Sequence, residues 1–318
     1  RWSGYLSATN YELHHDNEYF AIRTKAALLD ITPLKKYIIE GADAQIFLDR
    51  LVTRNIGICK VGQVMYTPWC DEFGKVIDDG TIQRLSKNKF RITSAEPNFD
   101  WIKHNAIGMD VTITDDSFTT AALALQGPNS RAILNAVSSD SLNSLKFFWM
   151  MDTTFGDIPV SISRTGYTGD LGYEIWMDPK DALTVWDLLL EKGKSFGITP
   201  TGLHALDIAR IEAGLILLDV DYVSSRHAII ESRKSSPYEL GLGWAVKMKK
   251  KDFIGKEASL IEKKQGIKKK LVTMTIDTKD IDVTNDEAIL KDNKCVGHIT
   301  SGGYAHHVQK SMALGYVP

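Results

Sequence analysis

Two adjacent carboxylates, Asp78 and Asp79, are the first candidates for chemistry in this 318-residue chain. A turn signal at Gly74 returns the chain into a short strand that ends in this pair, and Gly80 follows directly. Neighbouring carboxylates repel each other, which raises the pKa of one of them, as acid–base catalysis requires. A polar turn before Gly80 is the alternative interpretation. On these residues alone the pair is either an acid–base site or a turn.

A third carboxylate, Glu174, follows a segment that is punctuated by Gly166, Gly169 and Gly172. The β-rich run at residues 173–177 predicts a strand. A strand position behind a glycine-rich loop presents its side chain to a cleft, although an exposed strand residue is the simpler alternative. Glu174 is therefore a candidate binding residue.

Hydrophobic periodicity predicts the elements that position these carboxylates. A β-rich run at 36–40 precedes apolar residues that recur with helical spacing through 44–51, and the strand at 173–177 precedes the same spacing through 182–189. The two halves of the chain look alike. A further helix is predicted from Leu203 onward, ending before Gly214.

The order of these elements favours an α+β fold in several units. A chain of this length buries more than one core. The stretch 219–237 lacks periodicity, and so long a connection is functional or joins domains. We expect a first α+β lobe over residues 1–125, a second over 126–225 and a β-rich lobe over 226–318.

Several kinds of site are excluded by spacing. The chain has no phosphate-binding P-loop and no G-x-S-x-G elbow, and its glycines have the wrong spacing for a dinucleotide fingerprint. Two histidine pairs, at 14–15 and 306–307, are sequence neighbours and lack the i, i+4 relation of a metal site. We therefore predict no metal site.

Charge and cysteine content limit the partners and the compartment. The 38 basic residues nearly cancel the 40 acidic ones, so neither nucleic acid nor a membrane surface is an expected partner. The lysines at 247–251 and 268–270 are interpreted as a solvated face. Three cysteines without a metal or disulfide pattern, and no apolar stretch of membrane-spanning length, predict a cytoplasmic protein.

A series of motifs carries a resemblance that composition does not show. In order along the chain they are D-I-T-P-L at 30–34, D-E-F-G-K-V-I-D-D at 71–79, L-A-L-Q-G-P at 123–128, R-T-G-Y-T-G-D-L-G-Y-E at 164–174, L-D-I-A-R-I-E-A-G at 206–214 and G-H-I-T-S-G at 297–302. In this order and spacing the chain resembles the aminomethyltransferase family, which comprises the T-protein of glycine cleavage and its demethylating relatives. The resemblance covers nearly the whole chain.

The resemblance implies a three-lobed ring around tetrahydrofolate, with two ferredoxin-like lobes and a C-terminal β-rich lobe. It implies that Asp79 lies beside the folate nitrogens that accept the one-carbon unit. Glu174 corresponds to the carboxylate that hydrogen-bonds the pterin, and one carboxylate suits the adjacent N–H donors of a pterin edge. Tyr167 and Tyr66 correspond to aromatic residues of the pocket.

Three further assignments complete the predicted site. The resemblance places Leu34 and Arg210 with the cofactor-binding residues. Trp69 is the candidate aromatic wall for a methylated substrate, because it is close in sequence to Asp79 and Tyr66. A packed core tryptophan is the alternative interpretation.

The chain departs from the family pattern at Leu206, where some members carry an arginine that helps to hold the pterin. This makes it more similar to the folate lobes of dimethylglycine- and sarcosine-oxidising enzymes, and to sulfonium demethylases, than to a standard T-protein. The family arginine that contacts the folate tail would lie after Pro318, so we expect the third lobe to be incomplete.

The expected activity is a folate-dependent transfer of an aminomethyl or methyl group from a small methylated amine or sulfonium donor. A donor that must first be oxidised requires a redox partner protein. One alternative is a T-protein proper, which receives its substrate on a lipoyl carrier protein. A second alternative is a non-catalytic folate-binding scaffold, against which the pairing of Asp79 with Glu174 argues.

Overall fold

The computed structural model describes residues 2–318. Within this range the α-helices are α1 (Asp16–Thr24), α2 (Ala44–Leu51), α3 (Phe99–Asn105), α4 (Ser130–Val137), α5 (Ala182–Gly193), α6 (Leu203–Glu212) and α7 (Lys256–Gln265). The strands are β1 (Ala26–Asp30), β2 (Lys35–Glu40), β3 (Val64–Cys70), β4 (Val76–Ser86), β5 (Lys89–Ser94), β6 (Thr112–Asp115), β7 (Ala121–Gln126), β8 (Met150–Phe155), β9 (Ile158–Ser163), β10 (Gly172–Met177), β11 (Ile198–Pro200), β12 (Lys270–Ile276), β13 (Ala288–Lys291), β14 (Lys294–Ala305) and β15 (Lys310–Val317).

The first sheet has six strands in the order β11-β1-β7-β10-β9-β8. Side chains alternate between its two faces, and both faces are buried. One face packs on α4 and α5 through Leu134 and Leu189, and the other packs on α1 and α6 through Ile22 and Ala209. This sheet carries Glu174 on β10.

The second sheet has five strands in the order β3-β4-β5-β2-β6. Helix α2 covers one face, because Ala44, Phe47, Leu48 and Leu51 recur on one side of the helix and are completely or almost completely buried. This arrangement fixes β3 and β4, the strands that carry the residues around Asp79.

The third sheet is antiparallel throughout, with strand order β12-β15-β14-β13. A buried apolar cluster joins it to the rest of the protein. The cluster combines Leu314 of β15 with Val76 of β4, Ile211 of α6 and Tyr222 of the long connection. The edge of the second sheet, α6 and the C-terminal sheet therefore meet at one place, and the candidate site lies there.

The α+β class and the β-rich C-terminal part are confirmed. Both predicted strand–helix pairs are present, as β2 with α2 and as β10 with α5. The predicted lobe limits 1–125, 126–225 and 226–318 stay predictions. The first of these limits falls inside β7, and β1 joins the six-stranded sheet because it pairs in parallel with β11 and antiparallel with β7.

One lysine of the predicted solvated face is buried. Lys250 is 7% exposed, and its ammonium group donates to the backbone carbonyls of Val52 (2.6 Å), Arg54 (2.8 Å) and Asp49. Burial lowers the pKa of Lys250 to about 8. The interpretation as a solvated face was wrong for Lys250, which instead satisfies carbonyls in the last turn of α2 and directly after it.

The helices of residues 2–318 are too short or too polar to cross a lipid bilayer. The cytoplasmic location stays a prediction.

Candidate functional site

The side chains of the two adjacent aspartates lie on opposite faces of β4. On β4, Asp79 lies opposite Pro68 of β3, whereas Asp78 lies opposite Trp69. Successive side chains of a strand point to opposite faces, so the two carboxylates face different surroundings. Asp78 is completely buried, and Asp79 is partly exposed.

Asp78 has a structural role, because protein groups surround and hydrogen-bond its carboxylate. Its carboxylate accepts hydrogen bonds from the Asp79 N–H (2.7 Å), the Glu96 N–H (3.1 Å) and the Asn98 side-chain amide (2.8 Å). Burial, together with the nearby charge of Asp79, raises the pKa of Asp78 well above its usual range. Asp78 therefore fixes the position of β4 and faces away from the exposed side of the strand.

Asp79 lies among tyrosine hydroxyls. The Tyr222 hydroxyl donates a hydrogen bond to Asp79 Oδ1. Tyr66, a diagonal neighbour of Asp79 across β3 and β4, shares its face of the sheet. Burial raises the pKa of Asp79, and the hydrogen bonds from Tyr222 and Tyr66 lower it in part. A carboxylate with a raised pKa is suited to accept or donate a proton.

Tyr222 comes from the long connection between α6 and α7, and its neighbour Asp221 anchors that segment. Asp221 is completely buried. It accepts hydrogen bonds from Arg210, from Thr300 (2.6 Å) and from Ser301 (2.6 Å). This network ties α6, the connection and β14 together, and it fixes the backbone position from which Tyr222 reaches Asp79.

The guanidinium of Arg210 is held by four hydrogen bonds. Its N–H groups donate to Asp207 (2.8 Å), Ser301 (2.7 Å), Leu215 (3.4 Å) and Asp221. Asp207 Oδ1 also lies 2.7 Å from Nη2 as an ion-pair contact. Arg210 is buried and acts as a positioning residue for the segment that carries Tyr222, and its direct contact with a cofactor stays a prediction.

Tyr167 lies in the loop between β9 and β10 and reaches across to the segment after α6. Its hydroxyl donates to the carbonyl oxygen of Ile216, and the charge of Asp79 contributes to its raised pKa after the larger effect of burial. The loop closes around Gln126: a Cβ at Gly166 or Gly172 would lie about 2 Å from the Gln126 side chain. A side chain at either position would displace the Gln126 amide, which is buried and donates to the carbonyl oxygens of Thr165 and Tyr173.

Glu174 projects from β10, the strand that follows the Tyr167 loop. Its Oε2 atom accepts hydrogen bonds from Thr165 (2.7 Å) and Ser163 (3.4 Å). Within residues 2–318, the other carboxylate oxygen, Oε1, receives no hydrogen bond. Burial raises the pKa of Glu174, and the two hydroxyls lower it in part. Glu174 thus keeps acceptor capacity for a ligand with N–H donors.

Leu34 and Leu206 belong to the apolar layer between the six-stranded sheet and α1. Leu206 lines a cavity of about 80 Å³ together with Leu29 and Thr201. Pockets for small molecules have volumes of about 300 Å³ or more, so this cavity is too small for a pterin. A larger cavity of about 290 Å³ lies behind Tyr222 and carries Arg233 and other basic residues.

Trp69 lies on the opposite face of β3 from Tyr66. It is completely buried in the core under the five-stranded sheet, so it offers no surface to a substrate. The aromatic residue beside Tyr66 is Trp244, which is 54% exposed and stacks on Tyr66 with ring centroids 6.1 Å apart. The Arg54 guanidinium lies 5.3 Å from the Trp244 ring. The predicted role of Trp69 as a wall is therefore corrected, and Trp244 takes its place as the candidate.

Comparison with known proteins assigns the chain to a family. Residues 2–250 match the GCVT N-terminal domain, and residues 269–318 match the glycine cleavage T-protein C-terminal barrel domain. The chain belongs to the glycine cleavage T-protein family. The crystal structure of the glycine cleavage system aminomethyltransferase T from Bartonella henselae superposes on this family member with a TM-score of 0.89 and 27% identity, covering 100% of this chain and 85% of that one.

Two curated relatives of this T-protein family member have different names. An aminomethyltransferase from Halothermothrix orenii is 37% identical over 94% of this chain and 82% of its own length. A trimethylamine-oxide aldolase from Ruegeria pomeroyi is 38% identical over 94% of this chain and 38% of its own length. The family thus includes transferases and at least one relative that is named for a methylated nitrogen compound.

Sequence reasoning missed Tyr222, Asp221 and Trp244. The signal for the first two was the unusual length of the unpatterned connection over residues 219–237, which contributes both residues. Trp244 follows the G-L-G run at 241–243, and nothing in its spacing relates it to Tyr66.

Proposed function

We propose that this protein transfers an aminomethyl or methyl group from a small methylated amine or sulfonium donor to tetrahydrofolate. The observation that carries this proposal is the position of Asp79. Its carboxylate is partly exposed on the face of β4 opposite to that of Asp78, with hydrogen bonds from Tyr222 and Tyr66 that lower its pKa in part. Transfer of a one-carbon unit to a nitrogen needs a carboxylate beside that nitrogen to accept the proton that it loses.

The side chains of the site fit a reduced folate. Oε2 of Glu174 accepts from two hydroxyls and Oε1 receives no hydrogen bond from the described residues 2–318, so the carboxylate is oriented and retains capacity for paired N–H donors. The ring of Tyr167 supplies a flat apolar surface close to Asp79. We assign Glu174 and Tyr167 to holding the pterin, and Leu34 to the apolar surroundings.

Bound folate supplies the nitrogen that accepts the one-carbon unit. The role of Asp79 is to accept the proton that this nitrogen loses and to orient it beforehand. Tyr222 and Tyr66 hold the carboxylate in place and favour its ionised form through hydrogen bonds. Arg210 and Asp221 keep Tyr222 in position.

Aromatic rings around Asp79 favour a methylated cation as the donor. Tyr66 and Trp244 provide partly exposed rings, and a cation gains about 0.5–2 kcal/mol from contact with a ring face. The carboxylate of Asp79 adds a favourable charge. The relative named trimethylamine-oxide aldolase supports a methylated nitrogen compound as the class of donor.

A T-protein proper, acting on a substrate that a lipoyl carrier delivers, is the second candidate. The relatives named aminomethyltransferase favour it, since they cover most of this chain. Leu206 favours the small-molecule donor, because the arginine that some family members carry there is absent.

A donor panel distinguishes the two candidates. The purified protein is incubated with tetrahydrofolate and, separately, with sulfonium and betaine donors, with dimethylglycine and sarcosine in the presence of an amine-oxidising partner enzyme and its electron acceptor, or with an aminomethylated lipoyl carrier. Methyl- and methylene-tetrahydrofolate are then followed by mass spectrometry. Product with a free small molecule supports the proposal, product with the carrier alone supports the T-protein, and folate binding without any product supports a non-catalytic scaffold.

Replacing Glu174 by Gln is expected to weaken tetrahydrofolate binding by about 5- to 150-fold, which corresponds to about 1–3 kcal/mol. The amide presents a donor where the carboxylate presents an acceptor, so one N–H of the ligand loses its partner. Calorimetric titration of the parent and the variant measures the difference.

A matched control for this titration is Glu191→Gln, which makes the same chemical change on the exposed side of α5. The control is expected to bind tetrahydrofolate as the parent does. Equal affinity for all three proteins, with folding intact, would remove Glu174 from the site.

Replacing Tyr222 by Phe is expected to move the acidic limb of the kcat/KM profile to higher pH. Asp79 acts as an ionised base, so activity falls as the pH drops through its pKa. The Tyr222 hydrogen bond stabilises the ionised form and lowers that pKa, and its loss raises the pKa. Rate profiles of parent and variant between acid and neutral pH measure the shift. An unchanged acidic limb would exclude Asp79 as the titrating group.

A further inference from the structure

A cluster of potential metal ligands lies at the junction of α1 and the C-terminal sheet. His15, Asp16 and His306 offer ligand atoms that all lie within 4.8 Å of one another. Asp16 Oδ1 is 3.7 Å from His15 Nε2 and 3.5 Å from His306 Nε2. Both separations are too long for direct hydrogen bonds.

These separations are close to those between ligands of one ion. Nitrogen and oxygen ligands at 2.0–2.2 Å from a tetrahedral Zn²⁺ lie about 3.3–3.6 Å from each other. The two separations that involve Asp16 therefore already match a shared ion, and the ligand atoms of His15 and His306, which lie within 4.8 Å of each other, would have to approach further. Two imidazoles with one carboxylate suit zinc and similar transition metals, whereas Mg²⁺ and Ca²⁺ prefer oxygen ligands alone.

The backbone around the cluster is held independently of any ion. His15 directly precedes α1, and His306 directly follows β14. The next N–H, that of His307, donates to Glu212 (3.1 Å) and to the Tyr19 hydroxyl (3.2 Å). These contacts fix the turn that carries His306 against α1.

The side chains are also restrained and accessible. The His306 ring packs against Tyr19, with ring centroids 4.9 Å apart, and edge-on against Tyr304 at 5.2 Å. The exposed fractions of the His15, Asp16 and His306 side chains are 35%, 52% and 19%, so an ion reaches the cluster from solvent. An orienting shell and an entry path are both features of protein metal sites.

We propose that His15, Asp16 and His306 bind one divalent transition-metal ion of the zinc type, with a fourth position open to water or another ligand. The ion would link the start of α1 to the end of β14, which are 291 positions apart in the sequence as counted from residue 15 to residue 306. Sequence spacing predicted no metal site, because each histidine pair was judged alone. The structure joins one histidine from each pair.

Titration of the metal-free, untagged protein with Zn²⁺ tests this site, with Mg²⁺ as the comparison ion. We expect one equivalent of Zn²⁺ to bind, and Co²⁺ at the same site to give visible absorption of a low-coordinate complex. His306→Ala is expected to weaken binding by about 100-fold or more. His307→Ala and His14→Ala remove neighbouring imidazoles outside the cluster and are expected to bind like the parent.

The melting temperature provides a second readout. Zn²⁺ is expected to raise it in the parent and in His307→Ala, and to leave it unchanged in His306→Ala, because an ion that binds only the folded state stabilises it. Circular dichroism of the metal-free variants verifies that they fold. Binding that saturates only at millimolar Zn²⁺, or equal binding by parent and His306→Ala, would overturn the proposal.

Discussion

Replacing Asp79 by Asn is expected to lower turnover by about 10²- to 10⁴-fold, the usual contribution of a placed acid–base group. The amide still accepts the hydrogen bond from Tyr222, so the shape of the site and its affinity for tetrahydrofolate should change little. Single-turnover rates with the donor identified by the panel, together with folate titration, separate the chemical step from binding.

Asp78→Asn is the matched control for this variant. Asp78 is buried and accepts three hydrogen bonds from protein groups, so its replacement should lower stability by about 1–3 kcal/mol and affect the rate of the folded protein much less. If Asp78→Asn abolished turnover while Asp79→Asn preserved it, the assignment of the catalytic carboxylate would be reversed.

Replacing Asp221 by Asn is expected to destabilise the protein by roughly 3 kcal/mol, because it leaves Arg210 buried without its fully desolvated partner. Arg210 retains the half-exposed Asp207 as a partner. The loss of stability should therefore lie at the lower end of the range expected when a buried ion pair is broken. Denaturant unfolding of parent and variant measures the change in free energy of unfolding.

Asp219→Asn provides the comparison, because Asp219 is exposed and asparagine tolerates its positive φ of 63°. This control should unfold within about 0.5 kcal/mol of the parent, as exposed substitutions usually do. Should Asp221→Asn match the control, the network would not be what holds the Tyr222 segment in place.

Local patterns predicted the elements of the fold well. The helical spacing over 44–51 and the β-rich run over 36–40 correspond to α2 and β2, because each pattern is set by which residues must be buried on one face. The alternation of side chains along a strand, applied to β3, would have corrected the prediction that Trp69 lines the site. Trp69 is three positions from Tyr66 on one strand, so the two side chains point to opposite faces.

Helix and strand periodicity did not predict the contacts between distant segments of the chain. Tyr222 and Asp79 are 143 positions apart, and Asp221 meets Thr300 across 79 positions. Nothing local in the sequence records these pairings. The motif resemblance identified Asp79 and Glu174 as candidates, whereas the residues that orient Asp79 come from segments that only the folded chain brings together.

The central claim is that one reduced folate contacts both Glu174 and Asp79. The most direct measurement is a crystal structure of the protein with tetrahydrofolate bound. We predict that the N–H edge of the pterin hydrogen-bonds the Glu174 carboxylate, that its ring packs against Tyr167, and that the nitrogen that accepts the one-carbon unit lies beside Asp79. Folate bound elsewhere, for example in the basic cavity behind Tyr222, with Glu174 and Asp79 free of ligand contacts, would contradict the claim.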